Sequence, residues 1–403
     1  MKVSNIVVVG ASLAGLNAVE SLRSEGYDGR ISLVGSETFH PYDRPPLSKQ
    51  ILDGSVGAEP PYLRTEREFA DLDIDLYLGE SATEVNTKEK YVVIGGAAHI
   101  KYDGMLISTG AYARPLKDMP VMDGIHLLRN HGDALAIRKS FQTCSKVVII
   151  GAGFIGSEVA ASARSLGISV TILESLPAPL IRVLGSEMGG AFAQIHKENG
   201  VDLKCNVNVV GFGGGVKVER VKLADGSTID ADLVVIGIGA IPATDWLISS
   251  GLKIDDGVIC DEYCYTGASG VYAAGDVARW WHPRYQKYLR VEHWSNAVEQ
   301  GVVSARNLLR GEKKSTAFSP VPYFWSQQYG KKLQFAGNID KEDSVCILHG
   351  SVKEQEFLAI YGRNEKFSGV LSFGYQKLFL SYRKLLIDEG TWNQALEIAH
   401  SQA

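Results

Sequence analysis

The chain states one design twice. Residues 5–23 read NIVVVGASLAGLNAVESLR, and residues 146–166 read KVVIIGAGFIGSEVAASARSL. In the first copy a short β-branched run, Ile6–Val9, stops at Gly10, and apolar residues then recur at helical spacing through Leu13, Leu16, Val19 and Leu22. A second strand follows in each copy: ISLVG from Ile31, and SVTILE ending at Glu174. Strand, glycine turn, helix, strand is the unit that binds a dinucleotide. Downstream, IDLYLGESATEVN and YVVIGG lead to YDGMLISTGA near Ala111, while VDLKCNVNVVGF and VKVERVKLADGSTIDADLVVIGIGA end near Ala240. Both stretches read as hairpin strands returning to a final buried strand. Gly10 and Gly151 are 141 positions apart, so the chain is expected to be α/β, with two Rossmann-like nucleotide-binding domains of common design.

Composition agrees with that plan. At roughly 100–200 residues per domain, 403 residues make two or three domains. Glycine supplies 43 residues and proline only 13, which suits many strand-to-helix turns and not a low-complexity chain. Hydrophobic residues at 45% and charged residues at 22% exclude disorder as the main state. A net charge of −5 argues against nucleic acid as a partner. No apolar run nears the ~18 residues of a membrane span. The apolar stretch from Ile6 is better explained by its glycine turn than as a signal peptide, so a cytoplasmic address is expected. Five scattered cysteines imply no disulfide framework. After a polar stretch at 313–322, the tail alternates and is rich in aromatics (LQFAG, SVCILHG, EFLAIYGRN, FSGVLSFG), which predicts antiparallel strands followed by helices in a separate α+β domain.

The glycine motifs assign chemistry to residues. Gly10 makes the first turn, Ser12 stands where a second glycine lets backbone approach a pyrophosphate, and Gly15 packs helix on strand. Gly151, Gly153 and Gly156 keep the pattern intact. Glu174, at the end of the following strand, suits ribose hydroxyls and favours NAD over NADP, because a carboxylate repels a 2′-phosphate. In the first copy that position falls at Ser36–Glu37, and the choice between the two stays open.

Six ordered motifs, GxSxAG, PYDRPPLSK, GAGFIGSE, VYAAGD, VEHWSNA and PYFWSQQ, run over essentially the whole chain. In these the chain resembles the FAD-dependent NADH:ferredoxin reductases, the reductase components of bacterial Rieske oxygenase and cytochrome P450 systems. The resemblance implies a glutathione reductase-like fold: a discontinuous FAD domain at 1–115 and 243–320, an inserted NAD domain at 116–242, and a C-terminal interface domain at 321–403. It implies a flavin site including Ala14, Arg44, Lys49, Ala82, Arg129, Asp276 and Trp294, with Trp325 at the flavin edge. Arg44 and Arg129 suit a pyrophosphate. Lys49 is expected beside the isoalloxazine, where its charge stabilises reduced flavin. On the NAD side it implies Gly151, Gly153, Ile155, Gly156, Glu158, Glu174, Arg182 and Gly239. Glu158 is expected on the first helical turn after the glycines, accepting the carboxamide and pairing with Lys49. Two departures stand out: Ser36 replaces the usual acid of the first ribose strand, and Ala178 replaces an arginine common in relatives, which further disfavours NADP.

The cysteines carry a negative message. Flavoprotein disulfide reductases place a reactive pair where this chain has HPYDRPPLSK. Cys260 and Cys264, four apart in VICDEYC, read as structural. Electrons must then leave for an outside acceptor. The expected activity is hydride transfer from NADH to FAD, then single electrons to a small acidic [2Fe–2S] ferredoxin, with no metal bound by the chain itself. Rubredoxin reductase, NADH oxidase and an AIF-like redox signalling protein are the alternatives, and a homodimer stays open. Arg306, Arg310, Lys313 and Lys314, with Glu312 among them, and Lys331 and Lys332 further on, mark a candidate docking surface.

Overall fold

The computed structural model describes residues 3–401, without the side chains of Glu312 and Ser401. The chain forms two compact units. One holds the chain up to Asp43, Pro60–Tyr112 and Ile241–Pro322; the other holds Arg44–Glu59, Ala113–Ala240 and Tyr323 onward.

In the first unit, Asn5–Val9 is the middle of a five-stranded parallel sheet, in the order Val271–Ala273, Gly104–Ile107, Asn5–Val9, Arg30–Gly35, Asp75–Leu78. Ile6, Val8, Ile31 and Leu33 are buried on one face with Val19 and Leu22 of the helix Leu13–Ser24. Val7, Val9, Met105 and Ile107 fill the other. Burial on both faces explains the uninterrupted apolar runs. The helix Trp294–Arg310 lies so close to Leu13–Ser24 that a Cβ at Gly301 would stand 2.4 Å from the carbonyl oxygen of Ala14.

The second unit repeats the sheet: Val201–Lys204, Ser169–Leu173, Lys146–Ile150, Leu233–Ile236, Ile125–Leu127. Register repeats as well. Asn5 pairs with Arg30 as Lys146 pairs with Ser169, and the amides of Gly10 and Gly151 donate to Val34 and Leu173 at 2.8 and 2.7 Å.

The expected hairpins divide in both copies. Asp75–Leu78 and Val201–Lys204 are parallel edge strands of the main sheets. The remaining strands of these stretches, Ala82–Asn86, Tyr91–Ile94 and Ala98–Lys101, with their counterparts Val209–Gly214, Val218–Leu223 and Thr228–Asp230, form antiparallel sheets. Ile74 and Leu76 pack against the first core, a gain that a free hairpin forgoes.

The tail forms a five-stranded antiparallel sheet, in the order Tyr323–Gln328, Lys331–Gly337, Lys366–Phe373, Glu356–Arg363, Ser344–Ser351, followed by the helices Gln376–Ile387 and Trp392–Ser401. Phe324, Phe335, Phe357 and Phe373 share a core with Leu184, Met188, Phe192 and Ile195 of the segment Ile181–Glu198, which is helical on either side of a break at Gly185. No helix of the described residues is long and apolar enough to cross a membrane.

Candidate nucleotide and redox site

Each glycine turn ends in an open helix terminus. Gly10 has φ +122° and Gly151 φ +99°, values that disfavour any side chain. A Cβ at Gly15 would stand 2.0 Å from the Gly10 oxygen, and one at Gly156 2.1 Å from the Gly151 oxygen. Only glycine lets these helices start so near their strands. Ser12 and Gly153 are the N-caps; neither gives a side-chain bond to its helix, and neither helix has an acid in its first turn. Unfilled N–H donors and an unopposed dipole at the C-terminal end of a parallel sheet suit a dinucleotide pyrophosphate. The chain therefore offers two cradles that fit FAD and NAD.

In the first unit, Gly275, with φ +78°, brings the Asp276 turn against the first cradle: a Cβ there would lie 3.2 Å from Cβ of Ala14. Buried Gln300 holds that turn by accepting the Gly275 amide at 2.8 Å. Glu37 accepts a bond from the Tyr42 hydroxyl at 2.5 Å, while Ser36 is exposed. Asp43 accepts from the indole N–H of half-exposed Trp294 at 2.8 Å. Ala82 begins the antiparallel sheet of this unit and is half-buried.

In the second unit, Glu174 reaches back to the glycine turn. Its Oε2 accepts the Ala152 amide at 2.7 Å and its Oε1 the Leu176 amide at 2.9 Å. The Leu180 amide donates to the Ala152 oxygen at 3.1 Å, which brings the segment bearing exposed Arg182 to the same sheet end. Gly239, φ +112°, follows Gly237, whose oxygen would stand 2.5 Å from a Cβ at Gly151. Ile155 is exposed at the mouth of the turn. Arg44 donates to the Arg129 carbonyl at 2.7 Å, so the two expected pyrophosphate arginines are neighbours.

The third cluster is the buried pair. Lys49 Nζ lies 2.6 Å from Oε2 of Glu158 and also donates to the Pro45 oxygen at 2.8 Å. Ser48 donates to Oε2 at 2.5 Å; on Oε1, Ser326 donates at 2.7 Å and the Gln327 amide at 3.3 Å. The helix runs Phe154–Ser165, so Glu158 lies in its second turn and not its first, because Gly153 is still extended as the N-cap. A carboxamide approaching Glu158 would compete with these donors.

Half-buried Trp325 stacks on Tyr323, with ring centroids 6.0 Å apart, and Lys332 stands 5.8 Å from its ring. Cys260 and Cys264 are free and fully buried; burial pushes both thiols up, that of Cys264 to about 12. Arg306 and Arg310 both pair with Glu25, at 2.9 and 3.3 Å, so a carboxylate sits inside the basic cluster. Lys313 and Lys314 are exposed, and the side chain of Glu312 lies outside the described residues.

Sequence reading missed Tyr42, Asp43, Ser48, Gln300 and Ser326. The first three lie inside the PYDRPPLSK block and Ser326 inside PYFWSQQ, and both motifs were signals; Gln300 carried none.

The sequence profile of the pyridine nucleotide-disulphide oxidoreductases matches residues 4–301, and that of the reductase C-terminal domain matches 323–401. Rhodocoxin reductase of Rhodococcus erythropolis is 37% identical over 96% of this chain and 90% of its own length. The benzene 1,2-dioxygenase system ferredoxin–NAD(+) reductase subunit of Pseudomonas putida is 36% identical over 84% of this chain and 81% of its own. Among solved structures, putidaredoxin reductase in its covalent complex with putidaredoxin superposes with a TM-score of 0.91 at 31% identity, covering 99% of each chain.

Proposed function

Because the chain belongs to the pyridine nucleotide-disulphide oxidoreductase family, with a reductase C-terminal domain, we propose that it is the NADH-dependent ferredoxin reductase of an oxygenase or cytochrome P450 system. It is a flavoprotein oxidoreductase that uses FAD and NAD(H). Its electrons go to a small acidic [2Fe–2S] ferredoxin. The observation that carries the reading is the presence of two open helix termini at two glycine turns of one chain, each followed by a strand-end carboxylate, Glu37 and Glu174. The identities of the relatives and their near-complete coverage support the same reading.

We assign 1–115 and 243–320 to FAD, 116–242 to NAD and 321–403 to the interface domain. Bound FAD supplies the conversion of a two-electron hydride step into one-electron steps. The chain's residues do the rest. Gly10, Ser12, Ala14, Gly15, Arg44 and Arg129 hold the flavin pyrophosphate; Ser36 or Glu37 holds the ribose, and Ala82, Asp276 and Trp294 complete the site. Gly151, Gly153, Ile155, Gly156, Arg182 and Gly239 orient NADH, and Glu174 selects it against NADPH. Lys49 provides positive charge where negative charge develops, and Glu158 keeps that ammonium in place. Trp325 would line the edge of the flavin. The buried thiols of Cys260 and Cys264 take no part, which sends electrons outward. Five free cysteines support a reducing, cytoplasmic location.

The test is NADH-driven cytochrome c reduction by the purified, FAD-loaded protein. A [2Fe–2S] ferredoxin should accelerate it strongly and a rubredoxin only weakly. The reverse order would make it a rubredoxin reductase, and rapid oxygen consumption without any carrier would make it an oxidase.

A further inference from the structure

An ionised carboxylate is acceptor-only, with about four lone-pair positions. At Glu158 the chain's own donors fill them all: Lys49 and Ser48 on Oε2, Ser326 and the Gln327 amide on Oε1. Ser48 and Ser326 are themselves fully enclosed, at 2% and 0% exposure. Each is fixed from behind. Ser162 Oγ donates to the Ser48 carbonyl at 2.9 Å, and Gln328 Nε2 donates to Ser326 Oγ at 3.2 Å. With that lone pair taken, the hydroxyl hydrogen of Ser326 is directed at Glu158.

A lysine ammonium is a point charge on a flexible stem, so its acceptors decide where it sits. The last torsion of a glutamate is soft, and a carboxylate held by one cation alone turns about it. One hydroxyl on each oxygen removes that freedom.

We propose that Ser48 and Ser326 are positioning residues for the Lys49–Glu158 pair: one hydroxyl on each carboxylate oxygen locks the plane of Glu158, and through it the place of the Lys49 charge. The inference rests on the function proposed above. It gives the C-terminal domain a part in the hydride step, because Ser326 and Gln327 are its only described contributions to Glu158. Glu158 thereby acts through Lys49, with no acceptor position left over.

The experiment compares the native FAD-loaded protein with Ser326→Ala, Ser48→Ala and Ser326→Thr. Anaerobic rapid mixing with NADH gives the limiting rate of flavin reduction and the NADH half-saturation. Dye equilibration without NADH gives the flavin midpoint potential. Each alanine variant should lower the limiting rate about tenfold, since small misplacements at a reacting centre cost factors of 10–100. Half-saturation should stay native, and the potential should become more negative as reduced flavin loses a well-placed cation. Ser326→Thr, which keeps the hydroxyl, should restore both. A role in packing alone would leave the potential where it was. Alanine variants that hold FAD with native rate and potential overturn the proposal. If Ser326→Ala does not hold FAD, Ser48→Ala decides alone; if neither does, the serines are structural and the proposal fails. A native protein whose flavin NADH does not reduce would instead refute the functional reading, and the potentials would still judge the serines.

Discussion

Lys49 Nζ lies 2.6 Å from Oε2 of Glu158, with the two side chains 12% and 5% exposed. A pair so enclosed differs from a surface salt bridge in its response to the loss of one partner. Removing one charge leaves the other buried without its counter-ion, a loss of about 3–5 kcal/mol, whereas removing both together costs far less. Lys49→Met should therefore lower thermal stability more than Lys49→Met/Glu158→Gln does, measured by calorimetry on the FAD-loaded protein. The single variant should also slow flavin reduction by NADH more than it weakens FAD binding. Flavin reduction at the native rate would remove Lys49 from the chemistry.

Glu174 is tied to the Ala152 and Leu176 amides, which hold its carboxylate at the sheet end. Glu174→Gln removes the charge and keeps one acceptor. The preference for NADH over NADPH should narrow roughly tenfold, about 1.4 kcal/mol. Equal kcat/KM for the two cofactors in the native protein would refute this role.

Thiol reactivity should follow burial. Cys346 is exposed and should react first with an aromatic disulfide reagent, while Cys260 and Cys264 should react only on unfolding. Blocking the accessible thiols should leave NADH-to-ferricyanide turnover unchanged. Loss of turnover with FAD still bound would revive a thiol relay.

His196 is fully buried between the Ser157 hydroxyl, at 3.2 Å from Nε2, and the Tyr329 hydroxyl, at 2.5 Å from Nδ1. Burial pushes its pKa down from 6.5 to about 4. Between those values the unfolded chain takes up a proton that the native one refuses. Stability is full above about pH 6.5 and is lost progressively as pH falls toward 4, by ~3 kcal/mol from this group. His196→Phe should flatten that slope in urea unfolding curves taken across this range, even if it lowers stability overall. An unchanged slope would place the acid sensitivity elsewhere.

If ferredoxin docks on the cluster around Arg310, rising salt should slow its reduction while hydride transfer at saturating NADH holds steady. Glu25 opposes that field from within, since it pairs with both Arg306 and Arg310. Arg310→Glu should raise KM for ferredoxin and Glu25→Gln should lower it. An unmoved KM in both variants would reject this surface and leave the reductase assignment intact.

The sequence disclosed what is periodic or local. Continuous β-branched runs identified the parallel strands, since burial on both faces imposes them. The two glycine turns were legible because no other residue fits where a Cβ would meet backbone at about 2 Å. The strand-end acids came from spacing. What escaped notice depends on distance along the chain. Ser48 and Ser326 lie 110 and 168 residues from Glu158, and a lone serine has no periodicity to announce it. The hairpin that divides at Asp75–Leu78 escaped for another reason: a parallel edge strand and a hairpin arm share the same alternation, and only packing against the sheet separates them.

The strand Val271–Ala273 closes a sheet begun at Asn5–Val9, with the whole second glycine sheet, Ile125–Leu127 to Leu233–Ile236, written between them. During synthesis the order of completion is therefore inverted. The inner sheet has all its strands once residue 236 has left the ribosome. The outer one waits for residue 273, and its first helix waits longer still for Gly301 to come up against Ala14. A nascent chain of this protein holds its N-terminal nucleotide fold unfinished through most of translation, with one strand edge and one helix face open, which is the state in which a chaperone has most to protect.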